Sequence, residues 1–371
     1  MSVDNELKKV TDSINKKFRK NSKSDEDLVT VASEKDLKPV WVPTNAPELN
    51  NALGGGFAKG TMIAVHGVEG SGKTSIALSI AAEIQREGGY VLFINTEGAY
   101  DAVADLVGLD REKTLYADPK DYGEQLIDIV DHYLYDSDTK GPRRLIDCVI
   151  VDSINGLVPK AVIDKFEDEG SEGVTMARRA KMITDFLERM RGRGMLRAGC
   201  IVVLIAQDRA NISGYGAAST MSGGYAVKYM PDMIINFSKK PIAKVEKGER
   251  RIVGHDVVFN IEKNKVLGKL ASGRYSVLYG VGIDDSESLM VRAIEFGYIV
   301  GEGRSTYRII LPGGDYIIKG KAELAQTIKT DITIKEKIRE VLRAGKPKIP
   351  PVSSGTVLQV EEIQGDNLEN D

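Results

Sequence analysis

The sequence predicts an α/β fold in which a mostly parallel central sheet is covered by helices on both faces. Three observations predict it. The stretch Gly67-Val68-Glu69-Gly70-Ser71-Gly72-Lys73-Thr74 fits G-x-x-x-x-G-K-[ST] at every constrained position. An apolar run, Met62 to Val65, precedes it and a helical pattern, Ser75 to Glu87, follows it. Beyond it, short apolar runs alternate with amphipathic helical patterns, as in a parallel sheet buried on both faces.

The strand–loop–helix context makes the glycine-rich stretch a phosphate-binding loop. Its glycines let the backbone curl so that successive N–H groups point at phosphate oxygens. The following helix N-terminus adds partial positive charge. The nucleotide-binding set is Gly67, Val68, Glu69, Gly70, Ser71, Gly72, Lys73, Thr74 and Ser75. Lys73 reaches the outer phosphates of ATP, and the Thr74 hydroxyl ligates Mg²⁺.

Before the loop, residues 1–40 are highly charged, with Leu7, Val10, Ile14 and Phe18 at helical spacing. This pattern predicts an amphipathic helical arm that cannot bury itself. Two readings stay open: it packs on a neighbouring subunit as an oligomerisation arm, or it is solvated and disordered. The composition turns globular from Val40. After the loop, Tyr90 to Ile94 reads as a strand ending in Asn95-Thr96-Glu97, and Leu126 to Leu134 as a helix. Cys148 to Val151 reads as a strand ending at Asp152, and Cys200 to Ala206 as one ending at Gln207. In such sheets ligands gather at the carboxyl ends of the strands, which is where Glu97, Asp152 and Gln207 stand. Met233 to Phe237, Val257 to Glu262 and Tyr275 to Tyr279 read as an antiparallel extension of the sheet. Residues 283–345 form a small α+β unit with helical patterns near 288–296 and 334–342. Residues 346–371 are expected to be a disordered, acidic tail.

The 371 residues carry a formal charge of −3. The last 21 hold five carboxylates and no Lys or Arg, so the body is +2. The chain as a whole is therefore not a strongly basic nucleic-acid binder. Two cysteines, Cys148 and Cys200, lie in apolar runs and read as small core residues. Three scattered histidines do not make a zinc site. No apolar stretch approaches a membrane span, and the polar N-terminus lacks the apolar core of a signal peptide. These features point to a soluble, cytoplasmic protein of a reducing compartment.

Asp152 closes its strand where a phosphate-loop NTPase keeps its magnesium-coordinating acid. Glu97 is either a turn or helix-capping carboxylate, or the base that orients the attacking water; spacing does not choose. Gln207 stands at the root of a Gly/Ser/Ala-rich stretch, Asp208 to Gly224. It is either a polar cap on a flexible linker or a γ-phosphate contact that orders the loop. Arg178, Arg179, Lys181, Arg189, Arg191, Arg193 and Arg197 form the densest basic stretch, a solvated helix face or a surface for phosphate backbones. Lys263 and Lys265 fall on one face of a strand. Two adjacent like charges call for an anion between them, and a phosphate held by a neighbouring subunit meets that need.

Together these residues resemble the bacterial RecA family of DNA strand-exchange recombinases, its phage members included. The resemblance covers about residues 46–342. It is carried by Gly67 to Thr74, Asn95-Thr96-Glu97, Cys148 to Pro159, Ala206 to Arg209, Ser222 to Tyr229, Lys263-Asn264-Lys265 and Leu278 to Ile283. It implies a RecA-type phosphate-loop ATPase core over residues 41–282. In that core Glu97 is the catalytic base, Gln207 the γ-phosphate sensor, and Lys263 and Lys265 the lysines that reach the neighbour's ATP. Lys228 and Tyr229 match the segment that relays nucleotide state between subunits. Asp101 and Tyr279 match residues at the adenine, while the family's adenine-stacking tyrosine falls about where Ala104 stands. Residues 167–176 and 208–224 match the two DNA-binding loops. Arg178 and Arg179 match basic residues after the first, and Arg209, Ile212, Gly223 and Gly224 belong to the second. The resemblance also implies single-stranded DNA, homologous duplex, a helical filament of the chain itself, and single-strand-binding and loader proteins as partners.

Two competing readings share this core. A hexameric helicase motor would translocate without pairing strands, and Lys263-Asn264-Lys265 with Gly223-Gly224 argues against it. A non-catalytic filament module would have lost Lys73 or Glu97, and both are present.

Overall fold

The computed structural model describes residues 3–19, 38–97, 101–118, 122–136, 138, 141–143, 145–164, 172–192, 195–210, 219–221, 224–246, 249–280 and 282–344. Its centre is a sheet in which the strand Met62–Gly67 lies between Ile201–Ala210 and Met233–Glu246. Beyond Ile201–Ala210 come Cys148–Asp152, Val91–Asn95 and Thr114–Ala117, and these six strands run parallel. On the other side Glu249–Asn264, Ser272–Leu278 and Gly282–Asp284 continue the sheet antiparallel. The expected class, a mostly parallel sheet with an antiparallel extension, is what the chain adopts.

Side chains alternate between the two faces with the period of two of a strand. Ile63, Val65, Phe93, Val203 and Ile205 pack on one side with Ile76 and Ile80 of the helix Lys73–Arg86. Met62, Ala64, Leu92, Ile94, Val202 and Leu204 pack on the other. There they meet Leu126 and Val130 of Gln125–Leu134 and Ile183, Phe186 and Leu187 of Glu172–Gly192. Because both faces are covered, the central strands are continuous apolar runs. Cys148 and Cys200 are buried, free thiols, as expected of core residues.

Three expectations are revised in extent. The strand expected to stop at Gln207 continues to Ala210, because Ser219–Met221 pairs back on it with Met221 opposite Asp208 and Thr220 opposite Arg209. The second glycine-rich segment therefore leaves the sheet on a two-stranded ribbon rather than starting as loop at Asp208. The strands Met233–Glu246 and Glu249–Asn264 run far past their apolar cores, since backbone pairing from Met233↔Asn264 to Glu246↔Glu249 does not need apolar side chains. Beyond residue 283, the helices Ser286–Glu295 and Ile332–Ala344 are joined by Lys321–Thr330, a helix the sequence did not signal. That helix buries only Leu324 and Ile328, too narrow a stripe to stand out. These helices enclose a third apolar cluster with the antiparallel strands Ile299–Glu302, Thr306–Leu311 and Gly314–Lys319.

At the N-terminus, Val3–Arg19 is helical. Residues 20–37 and 345–371, which include the acidic tail, lie outside the described residues.

Candidate active site

Strand register brings the site together. Gly67 pairs with Gln207 on one side and Phe237 on the other, and Asn95 pairs with Asp152. Five neighbouring strands thus bring these residues to one end of the sheet, and the phosphate loop leaves the strand that lies between Ile201–Ala210 and Met233–Glu246. Gly67 sits at φ 143°, and a Cβ there would lie 1.9 Å from Phe237 O. Only glycine permits that approach. Gly72, at φ 87°, turns the chain into the helix Lys73–Arg86.

Lys73 is buried and folds back over the loop, its Nζ donating to Gly67 O at 3.1 Å and Val68 O at 2.8 Å. Burial lowers its pKa, opposed by the negative field of Asp152, Glu97, Asp208 and Glu69. Thr74 Oγ1 donates to Asp152 Oδ2 at 2.6 Å. Burial pushes the Asp152 carboxyl up to about 6; the Thr74 hydrogen bond and Lys73 oppose this, and Glu97 adds to it. Asp152 Oδ1 and Ser71 Oγ are buried with no hydrogen-bond partner. A buried carboxylate oxygen without a partner, beside a threonine hydroxyl and a lysine, fits a divalent cation and the phosphates it accompanies.

Glu97 is exposed, two residues past the paired end of its strand. Its Oε1 accepts from Gln207 Nε2 at 2.8 Å and from Ser153 Oγ. Its N–H donates to Asn95 Oδ1 at 3.0 Å. Ser153 follows a cis peptide at Asp152 and is held against Thr96: Ser153 N–H donates to Thr96 Oγ1 at 3.0 Å, and Thr96 Oγ1 donates to Ser153 O at 2.8 Å. Gln207 N–H donates to Asn155 Oδ1 at 2.9 Å. The structure therefore brings Lys73, Thr74, Asp152, Glu97 and Gln207 into one cluster. Sequence reasoning missed Thr96, Ser153 and Asn155, which hold Glu97 and Gln207. Their only sequence signal is adjacency to acids at strand ends.

Lys263 and Lys265 do not join this cluster within one chain. Lys263 pairs with Ile234, and Ile234 with Ala64, so both lysines lie towards the opposite edge of the sheet from the loop. Lys263 Nζ donates to Tyr229 O at 2.7 Å and Lys228 O at 3.4 Å. Lys265 Nζ is 3.8 Å from Asp232 Oδ1, which also accepts from Arg191 Nη2 at 2.8 Å. Burial lowers the Lys263 pKa, and the positive charge of Lys265 adds to the shift.

Tyr279 is exposed, its ring 6.0 Å from that of His255, and Ala104 is buried in the core. Arg178 Nη1 donates to Ala161 O, and Arg179 Nε to Leu157 O at 2.9 Å, so both brace the segment after Asp152. Arg209 lies in the ribbon strand. Gly224 opens the helix Gly224–Tyr229. Ile212 and Gly223 fall outside the described residues, as do the side chains of Asp101 and Arg209. No group of three or more metal-ligating His, Cys, Asp or Glu occurs among the described residues, and no described helix is long and apolar enough to cross a membrane.

Comparison with known proteins agrees with this geometry. The family model for the RecA N-terminal domain matches residues 5–284. The chain is 30% identical over 332 residues to Protein RecA of Trichormus variabilis, covering 89% of this chain and 87% of that one. It is 32% identical over 279 residues to Protein RecA of Fusobacterium nucleatum, covering 74% and 70%. Against Protein RecA of Corynebacterium jeikeium it is 31% identical over 327 residues, covering 87% and 81%.

Proposed function

The chain belongs to the RecA family, and from that premise we propose how its residues divide the work of an ATP-driven DNA strand-exchange recombinase. Members of this family are DNA-dependent ATPases that bind DNA and assemble with themselves into filaments, and this chain is one. The backbone N–H groups of residues 67–75 and Lys73 hold the phosphates of ATP. Thr74 and Asp152 are the residues that would hold Mg²⁺, whose charge neutralises the phosphates. Glu97 orients and polarises the attacking water. Ser153 and Gln207 hold its carboxylate, and Asn95 holds its backbone N–H.

The observation that carries the reading is the Gln207–Glu97 hydrogen bond. One amide at the root of the DNA-loop ribbon touches the hydrolytic carboxylate. A γ-phosphate within reach of that amide competes with Glu97 for it, so nucleotide state and loop geometry are read by the same group. Asp101 and Tyr279 contact the adenine. Arg178, Arg179, Arg209, Ile212, Gly223 and Gly224 belong to the DNA surface.

Lys263 and Lys265 lie away from their own loop, so their target is the ATP of the neighbouring subunit. Each site is then complete only between two subunits, which ties hydrolysis to filament growth on single-stranded DNA. Residues 1–40 act as the arm that joins subunits, residues 41–282 as the ATPase and DNA-binding core, and residues 283–345 as a small appended domain. The setting is the cytoplasm, with single-strand-binding and loader proteins as accessories.

The test is DNA-stimulated ATP hydrolysis and strand exchange by wild type, Lys73→Ala and Glu97→Ala, with negative-stain microscopy. Filaments and strand exchange by wild type alone support the assignment. Rings that unwind duplex DNA would support the helicase motor.

A further inference from the structure

His66 is the last side chain of its strand before the phosphate loop, and it is buried between two carboxylates. Its Nδ1 lies 2.7 Å from Asp208 Oδ1 and its Nε2 3.1 Å from Glu262 Oε2. The side chains of His66 and Asp208 are 6% and 5% exposed, and that of Glu262 is 44% exposed. Asn236 closes the cluster, with Nδ2 donating to Asp208 Oδ2 at 3.3 Å and lying 3.2 Å from His66 Nδ1. Asp208 Oδ1 lies closer to Nδ1 than the Asn236 amide does, 2.7 Å against 3.2 Å, so both ring nitrogens face carboxylate oxygens. Only the imidazolium supplies an N–H to each. Burial works against that charge, but the hydrogen bonds to Glu262 and Asp208 and the negative charges of both together outweigh it, and the pKa of His66 is raised. Asp208 and Glu262 are the charged groups that face the ring, each from a different strand.

The two carboxylates occupy telling positions. Asp208 directly follows Gln207. Glu262 is the extra residue of a β-bulge: Lys263 pairs with Ile234 and Ile261 with Ile235, leaving Glu262 without an opposite residue. A bulge re-aims the side chains beside it, and the next residue is Lys263.

We propose that His66 is a positioning residue that clamps the Glu262 bulge to Asp208, and so couples the aim of Lys263 and Lys265 to the strand carrying Gln207. This rests on the reading that these lysines complete a neighbour's ATP site. The clamp gives the lysines and the DNA-loop ribbon a physical link through the interior of the sheet. The raised pKa fixes its sign: the clamp is fully formed below the ordinary histidine pKa and is lost as pH rises through the raised value.

The experiment measures DNA-stimulated ATP hydrolysis by the full chain from about pH 6 to about pH 9. It compares wild type, His66→Gln, Glu262→Gln and Lys263→Ala, with binding of a fluorescent ATP analogue as the second readout. Glu262 is partly exposed, so its variant keeps the test open if His66→Gln does not fold. Wild type should lose turnover along an alkaline limb. Both clamp variants should turn over about tenfold more slowly at the acid end, as expected for a misaimed group, with that limb flattened and analogue binding unchanged. If Lys263→Ala is impaired while Glu262→Gln follows the wild-type profile, the clamp is overturned and the shared site stands. If Lys263→Ala hydrolyses ATP like wild type, the shared site itself is wrong, and the clamp falls with it.

Discussion

Gln207 Nε2 donates to Glu97 Oε1 at 2.8 Å although 110 residues separate the two in the chain. The proposed phosphate sensor and the proposed base therefore share one hydrogen bond. Glu97→Gln keeps an acceptor for Ser153 and Gln207 but removes the negative charge. It should lower kcat for DNA-stimulated hydrolysis by about 10²- to 10⁴-fold, while ATP-dependent binding to single-stranded DNA is retained. Steady-state hydrolysis and fluorescence anisotropy of labelled DNA measure the two; near-normal turnover would remove Glu97 from the chemistry.

Asp152 is held at an energetic disadvantage. Its carboxyl is pushed from 3.8 up to about 6, chiefly by burial, so at neutral pH the ionised form costs about 3 kcal/mol. Without nucleotide or Mg²⁺, Asp152→Asn should therefore melt higher than wild type at about pH 7.5. A raised carboxyl pKa penalises the fold in full above that pKa, and the penalty fades as pH falls from about 6 to the unfolded value of 3.8, so the gap in Tm should narrow across that interval. The same variant should lose Mg²⁺-dependent ATP hydrolysis. A lower Tm at neutral pH would contradict the burial argument.

Lys263 and the phosphate loop lie towards opposite edges of one sheet, which makes complementation a direct test. Lys263→Ala and Lys73→Ala should each lose DNA-stimulated hydrolysis alone. Mixed filaments should recover it, at interfaces where an intact loop meets an intact Lys263. Absence of recovery in verified mixed filaments would argue that the lysines serve their own subunit.

Binding to single-stranded DNA should weaken steeply with added salt, because cations released from phosphates drive it. Titrations at several salt concentrations give the slope of log K against log salt. A slope near zero would be inconsistent with phosphate contacts from Arg178, Arg179 and Arg209.

Residues 351–371 carry five acids on a body of charge +2 and should compete with DNA for basic surfaces. Deleting them should speed uptake of duplex DNA, followed by stopped-flow fluorescence; an unchanged rate would show that the tail does not compete.

Much of this was legible in the sequence because it is local. The phosphate loop is eight consecutive residues, and each central strand is a buried apolar run ending in a polar residue. Those features gave the α/β class and put Glu97, Asp152 and Gln207 at strand ends. The strand ends beyond Ala206 and Phe237 were not legible, since the pairings that extend them are backbone contacts between distant segments.

What the sequence alone determined is the set of reactive groups and the sheet edge they occupy. Only the tertiary structure decided who touches whom. That Ser153 and Gln207 both hold Glu97, that the buried His66 faces Asp208 and Glu262, and that Lys263 stands away from its own loop all follow from strand order and register. Register is set by long-range pairing, and a slip of one residue turns every side chain to the other face. The motif at Gly67 to Thr74 thus marks the proposed phosphate site, while the rest of that site depends on which strands lie beside it.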